Sequence, residues 1–201
     1  MICVAKRVFD VLVSVCAILL LAPLLAAIAV AIKCESPGPI LFKQVRVGLN
    51  GRPFTILKFR SMVQNATDLA PNVSVADDPR ITVVGAFIRR WFLDELPQLI
   101  NVLMGEMSVV GPRPETPEYV ALYSPEERRV FAIRPGIVGP STLAFVDEPQ
   151  ILARRDDPHE FYVTVLMHQR VQLDLEYLEH QSVAYDLQLL AKQLQRILWR
   201  D

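Results

Sequence analysis

The chain has little with which to crosslink itself. Of its 201 residues three are cysteine (Cys3, Cys16 and Cys34), and they form no CxxC pair. Its three histidines, His159, His168 and His180, lack the i, i+4 spacing of a helical zinc pair. A disulfide framework and a structural zinc are thereby excluded, which fits a reducing cytosolic face. Basic excess is missing too. The net formal charge is −1, so the bulk footprint of a nucleic-acid binder is absent and no nucleic-acid partner is expected. Neither GxGxxG nor a Walker-type GxxxxGK(S/T) occurs, so the usual phosphate cradles are absent. There are no internal repeats, low-complexity segments or Gly/Ser linkers, and the length suits one domain, residues 1–201.

What the chain does have is apolar surface: 52% hydrophobic residues and a mean hydropathy of +0.29, concentrated at the N-terminus. Val11 to Ile32 is interrupted only by Ser14, Cys16 and Pro23 and carries no charge. That core is too long for a signal peptide and, at roughly 33 Å, long enough to cross a ~30 Å hydrocarbon layer. Two features oppose a simple span. Pro23 falls in the middle, where it removes a backbone hydrogen bond and kinks a helix. Positive charge also flanks both ends, Lys6 and Arg7 before the run and Lys33, Lys43 and Arg46 after it, which favours the cytoplasm for both. A helix that breaks at Pro23 and returns to its own side satisfies both observations.

The remainder predicts an α+β, mainly α, fold. "ESPGPI" is a Pro/Gly loop, and the apolar runs around Asn50-Gly51 predict a small β-hairpin. Ser61 to Thr82 predicts an irregular loop holding two sequons, at Asn65 and Asn72, discounted on the cytosolic side. Helical period returns at Val83, with Val83, Val84, Phe87, Ile88, Trp91 and Phe92 on one face, and continues through Leu96, Ile100, Leu103 and Met107. "GPRPETP" and "RPGIVGPST" predict rigid loops. Asp157-Pro158-His159-Glu160 predicts a capping box opening a helix over roughly 158–173. A last helix, about 183–200, groups Val183, Leu187, Leu190, Leu194 and Leu198 opposite Lys192, Arg196 and Arg200. It suits a membrane interface or an ordinary core-facing helix, and an apolar face left over would suit a homo-oligomer.

"RRWFLDELPQLINVL" (89–103) sets Asp94 and Glu95 side by side after Arg89 and Arg90. One explanation is a helix start, with Asp94 as N-cap and Pro97 in the first turn. The other is a carboxylate nucleophile beside a metal ligand. Arg46, Lys58, Arg60, Arg89, Arg90, Arg113 and Arg134 are otherwise unexplained, and several stand in Gly/Pro contexts that would hold a guanidinium still against a phosphate. An acidic pair among basic loops at a membrane surface points to phosphoryl transfer. A carboxylate can attack phosphorus, cations neutralise the diphosphate, and Mg²⁺ takes one or two carboxylates plus substrate phosphates.

The ordered series "KRVFDVLVS", a mid-run proline, "SPGPILFKQVRVGLNGRPFTILKFRSM", "DDPRITVVGAFIRR", "LDELPQLINVLMGEMSVVGPRPE" and "RPGIVG" resembles the monotopic phosphoglycosyl transferases, the bacterial sugar transferase family, over roughly residues 5–140. The resemblance implies a re-entrant membrane helix (1–35) broken at Pro23, a catalytic portion (36–201) with amphipathic interfacial helices, and an active site on the cytosolic face of the bacterial inner membrane. It implies transfer of a phosphosugar from a UDP-sugar to polyprenyl (undecaprenyl) phosphate through a covalent aspartyl intermediate, with release of UMP, as the first membrane step of glycoconjugate assembly. By position Asp94 would be the nucleophile and Glu95 the Mg²⁺ ligand, with Lys58, Arg89, Arg113, Arg134 and Arg46 around the phosphates. Asp78 would shape a loop. The chain departs from the family's usual Trp-Ala-Gln-like run at Pro140-Ser141-Thr142, and from its paired tyrosines at "DLEYLEH". Two rivals stay open: a nucleotide-sugar pyrophosphate hydrolase, and a non-catalytic interaction protein docked on membrane lipids.

Overall fold

The computed structural model describes residues 2–66, 75–76 and 78–199; Asn72, Asp77 and Arg200 lie outside the described residues. Helix α1, Ile2–Glu35, is long and apolar enough to cross a membrane, and Leu12, Leu19, Leu20 and Val30 are exposed along it. Pro23 lies inside this helix. The expected break at Pro23 therefore does not interrupt helical structure. A proline costs one backbone hydrogen bond and crowds one carbonyl, which the turns on either side can absorb.

Both ends of α1 are tied to the rest of the chain. The spacing in "KRVFDVLVS" puts Lys6, Asp10 and Ser14 one turn apart on one face. Lys6 Nζ donates to Asp186 Oδ2 (2.5 Å), the Val110 carbonyl (3.0 Å) and Tyr177 Oη (3.2 Å). Arg7 donates to the carbonyls of Val102 and Leu103, and Asp10 accepts from Ser108 Oγ and the Val109 amide. At the far end Ile28 and Ile32 pack with Phe59 and Ile88. There Arg60 donates to the carbonyls of Ser36 and Pro37 and to Ser36 Oγ, so it caps the end of α1 and does not join a phosphate site.

The predicted hairpin forms from β1, Leu41–Val47, and β2, Pro53–Phe59. Its turn uses Asn50 (φ 56°) and Gly51 (φ 72°), the left-handed conformations these residue types tolerate. Pairing of Arg46 with Phe54 and Phe42 with Lys58 sets Arg46 and Lys58 on one face of the hairpin. The loop that follows is pinched at its base, where Met62 bridges Ile81. Within it Asp78 accepts from the Arg80 amide and guanidinium, in keeping with a loop-shaping role.

Helix α2, Val83–Arg90, is capped by Thr82. Only part of its expected apolar face is buried. Ile88 is inside, whereas Val83 and Phe87 are exposed. Helix α3, Gln98–Met104, ends at Gly105 (φ 85°) and leaves Ile100 and Met104 outside.

A parallel pair absent from the sequence-based expectation, β3 (Ser108–Val110) and β4 (Gly136–Val138), joins the two Gly/Pro loops. Here the glycines are required by contact. A Cβ on Gly136 would stand 2.0 Å from the Gly111 amide nitrogen, and one on Gly139 would stand 2.3 Å from the Gly111 carbonyl oxygen. The backbones of "GPRP" and "RPGIVG" touch directly. Short helices α4 (Pro117–Val120), α5 (Pro140–Ala144) and α6 (Glu148–Ala153) follow.

Asp157 caps α7, Pro158–Phe161, through the Glu160 amide, as expected of the capping box. The helical rod then continues through a π-helical segment, Tyr162–Leu166, into α8, Met167–His180, longer than the 158–173 expected. One core gathers Tyr119, Tyr123, Leu152, Tyr162 and Met167; a second gathers Ile56, Val102, Met107, Val110 and Tyr177. The last helix, α9 (Val183–Leu198), starts where expected, behind Ser182. Its buried face carries Asp186, Leu189 and Gln193, while Leu187, Leu194, Leu198 and Trp199 point outward. Of the apolar stripe, Leu190 packs against the second core, while Leu187, Leu194 and Leu198 do not.

Candidate active site

Asp94 and Glu95 stand in a single 3₁₀ turn, Leu93–Glu95, between α2 and α3. Asp94 is not a helix N-cap: Pro97 occupies that position of α3, and no side chain caps it. The turn is aimed by Phe92, whose φ of 57° costs an aromatic residue about 1–2 kcal/mol. Both carboxylates are buried, at 9% and 7% exposure, too deep for ordinary surface acids.

The hairpin brings Lys58 to this turn and the β3–α4 loop brings Arg113. Lys58 Nζ lies 2.7 Å from Glu95 Oε1, and Arg113 Nη1 lies 3.2 Å from the same oxygen. Among the described residues, both cations at contact distance go to Glu95. The two acids are consequently tuned apart. Burial alone would raise the Glu95 carboxyl, but Lys58 and Arg113 outweigh it and hold that group well below its usual range. Asp94 is pushed up by burial first and by the Glu95 charge second, against the weaker pull of Lys58, Arg89 and Arg113. A helix dipole does not keep Asp94 ionised, since a three-residue turn has little to offer. Adjacent acids with opposed tuning are the pattern expected where one does chemistry and the other holds charge.

Four of the expected residues thus meet, Asp94, Glu95, Lys58 and Arg113, and Arg89 lies near enough for its charge to favour the ionised form of Asp94. Arg46 stands one shell away, donating to Glu115 Oε1 (2.7 Å) and the Pro114 carbonyl, and so braces the loop that carries Arg113. Arg134 is placed elsewhere. Its Nε donates to the Gly105 carbonyl at the opposite end of α3 from the acidic pair (2.7 Å).

Three further residues were not singled out from sequence. Glu115 accepts from Arg46, Tyr162 Oη and the Thr116 amide. Arg170 pairs with Glu148, and Asp174 joins the Arg113 amide to Ser141. Apart from the adjacent Thr116 amide, their partners are 22–69 residues away, so no local spacing announces them. The departure at Pro140-Ser141-Thr142 is where α5 begins, and Ser141 donates from both its amide and its hydroxyl to Asp174.

No three acidic, histidine or cysteine side chains group into a metal site among the described residues. The oxygens of Asp94 and Glu95 are the donor type that a hard cation such as Mg²⁺ takes, but two carboxylates would supply only part of its ligands. The pair does not form a protein-only cage.

Residues 1–200 match the bacterial sugar transferase family. The chain belongs to that family. It is 42% identical over 198 residues to an undecaprenyl-phosphate glucose phosphotransferase of Komagataeibacter xylinus, covering 95% of this chain and 35% of the relative. It is 40% identical over 194 residues to the exopolysaccharide production protein PSS of Rhizobium leguminosarum bv. phaseoli, covering 93% and 92%. A UDP-N-acetylgalactosamine-undecaprenyl-phosphate N-acetylgalactosaminephosphotransferase of Aeromonas hydrophila is 47% identical over 137 residues, covering 67% of this chain and 32% of the relative. The chain thus spans about a third of the length of two of these bacterial sugar transferases and nearly all of the third.

Proposed function

We propose that the chain is a phosphoglycosyl transferase that moves a phosphosugar from a UDP-sugar to polyprenyl phosphate. The observation that carries this is the division of labour in the acidic pair: Glu95 is ion-paired with Lys58 and Arg113, while Asp94 beside it is buried, more basic and, among the described residues, outside any such pair. Asp94 would attack the phosphorus that bears the sugar. A bond from its carboxylate oxygen forms, the bond to the bridging oxygen breaks, and UMP leaves with that oxygen. The phosphate oxygen of the polyprenyl acceptor then attacks the same phosphorus, releasing the Asp94 carboxylate and giving polyprenyl-diphospho-sugar. Arg113, 31% exposed at its side chain, and Arg89 would face the phosphates, and Lys58 would keep Glu95 charged. Glu95 would hold Mg²⁺, which would supply charge neutralisation at the diphosphate.

The setting would be the cytosolic face of the bacterial inner membrane, in the first membrane step of glycoconjugate assembly. Support comes from α1, whose two ends are both anchored in one folded portion of the chain, as a helix that enters and returns requires. The outward Leu187, Leu194, Leu198 and Trp199 of α9, with Val83 and Phe87 of α2, suit an interfacial position or a second copy.

The test is purified protein in detergent with Mg²⁺ and a panel of UDP-sugars. UMP release beyond one burst equivalent should require polyprenyl phosphate. Steady release without lipid would indicate a hydrolase, and no release under any condition would indicate a docking protein.

A further inference from the structure

Arg113 is held in an unusual way. Pro112 and Pro114 on either side have no N–H, so the Arg113 amide is the only backbone donor between Gly111 and Glu115. That donor goes to a side chain on α8, Asp174 Oδ2, at 3.0 Å. The same carboxylate accepts from Ser141 Oγ (2.8 Å) and, at Oδ1, from the Ser141 amide (3.2 Å). Asp174 is 3% exposed and accepts three hydrogen bonds from the protein itself. The neighbouring carbonyls are also used. Pro112 accepts from the Gly136 amide and Pro114 from Arg46. The Arg113 backbone is thereby fixed on each side while its guanidinium extends to Glu95.

Resting on the transferase function above, we propose that Asp174 is a positioning residue for the reaction, acting through Arg113. Its carboxylate sets where the Arg113 backbone stands and hence where the guanidinium meets Glu95 and the substrate phosphates. Ser141 locks the carboxylate in the orientation that does this. Removing the Ser141 hydroxyl leaves Asp174 with the two amide donors and frees it to rotate. Replacing Asp174 with Asn turns one acceptor into a donor, which then opposes the Arg113 amide at the Oδ2 position or the Ser141 amide at the Oδ1 position.

The test is a double-mutant cycle read by intact mass, as the rate at which wild-type and variant enzymes form the covalent phosphosugar adduct. Asp174→Asn should slow adduct formation about tenfold or more in the wild-type background and less than about threefold in an Arg113→Gln background, the coupling expected of residues in one network. Ser141→Ala, the milder change, should behave in the same direction if Asp174→Asn does not fold. Hydrogen exchange of the Arg113 amide should accelerate in both variants. Equal slowing in both backgrounds, or an Arg113 amide that exchanges no faster, would overturn the proposal. If wild-type protein forms no adduct, the transferase function fails, and the exchange measurement still decides whether Asp174 holds Arg113.

Discussion

Lys58 Nζ sits 2.7 Å from Glu95 Oε1, with both side chains largely out of water. In such a place the pair is worth less than the harm done by breaking it, because the surviving carboxylate is left with Arg113 alone to match its charge. Lys58→Met should therefore destabilise the protein, by less than the roughly 3–5 kcal/mol of a fully unmatched buried charge, as well as abolish adduct formation. Lys58→Met/Glu95→Gln, with both charges gone, should regain most of the lost thermal stability and none of the activity. Thermal unfolding in detergent separates the two effects, and an active double variant would remove Glu95 from the mechanism.

The opposed tuning of the acids has a pH signature. Asp94, raised to about 6 chiefly by burial and then by Glu95, would act as the proposed nucleophile only as the carboxylate. Adduct formation should rise with pH through about 6 and level off above it, since the group is protonated below that point and ionised above. Glu95, held low by Lys58 and Arg113, stays ionised across that range and adds no second limb. Asp94→Asn should form no adduct at any pH, and Glu95→Gln should weaken the Mg²⁺ dependence. An adduct on Asp94→Asn would disprove the nucleophile assignment.

Parts of the fold and of the candidate site were legible because they are written locally. Asp94 and Glu95 are adjacent, Asn50-Gly51 marks its own turn, and Asp157 to Glu160 carries its own cap. The part that was not legible depends on contacts across the fold. Arg134 looked like a phosphate ligand because nothing nearby shows that Gly105, 29 residues away, takes its Nε. Arg60 likewise binds back to the end of α1. Asp94 looked like an N-cap because sequence cannot tell a 3₁₀ turn from the first turn of a helix, and Phe92's left-handed backbone decides it. The stripe on α9 was visible, but its direction is fixed by Asp186 turning inward to meet Lys6, a partner 180 residues away.

The contact between the two Gly/Pro loops makes a sharper demand than their sequence suggests. A methyl group on Gly136 would lie 2.0 Å from the Gly111 nitrogen and 2.6 Å from its Cα, and both are backbone atoms that no rotamer can move. Gly136→Ala should force β3 and β4 apart, at a cost of about 1–3 kcal/mol or more, and displace Arg113 with them. Gly51→Ala is the contrast. Nothing lies within 4 Å of its Cβ, so only the φ of 72° opposes it and the site is untouched. Adduct formation should fall far more in the first variant than in the second, at matched protein recovery.

The path of α1 can be tested from the same anchors. The amino end is held by Lys6 on Asp186, and the carboxyl end by Arg60 on Ser36, so both flanks belong to one folded portion. A helix that crossed the bilayer would have to tear one anchor free, leaving Asp186 buried without its cation or the last carbonyls of α1 without donors. With Cys3, Cys16 and Cys34 changed to Ser, single cysteines at Ala5 and Ser36 should both resist a membrane-impermeant maleimide in intact cells. Both should react in inverted vesicles. Labelling of the two positions from opposite sides would establish a span, and the anchors at Asp186 and Ser36 would then have to be absent in the membrane.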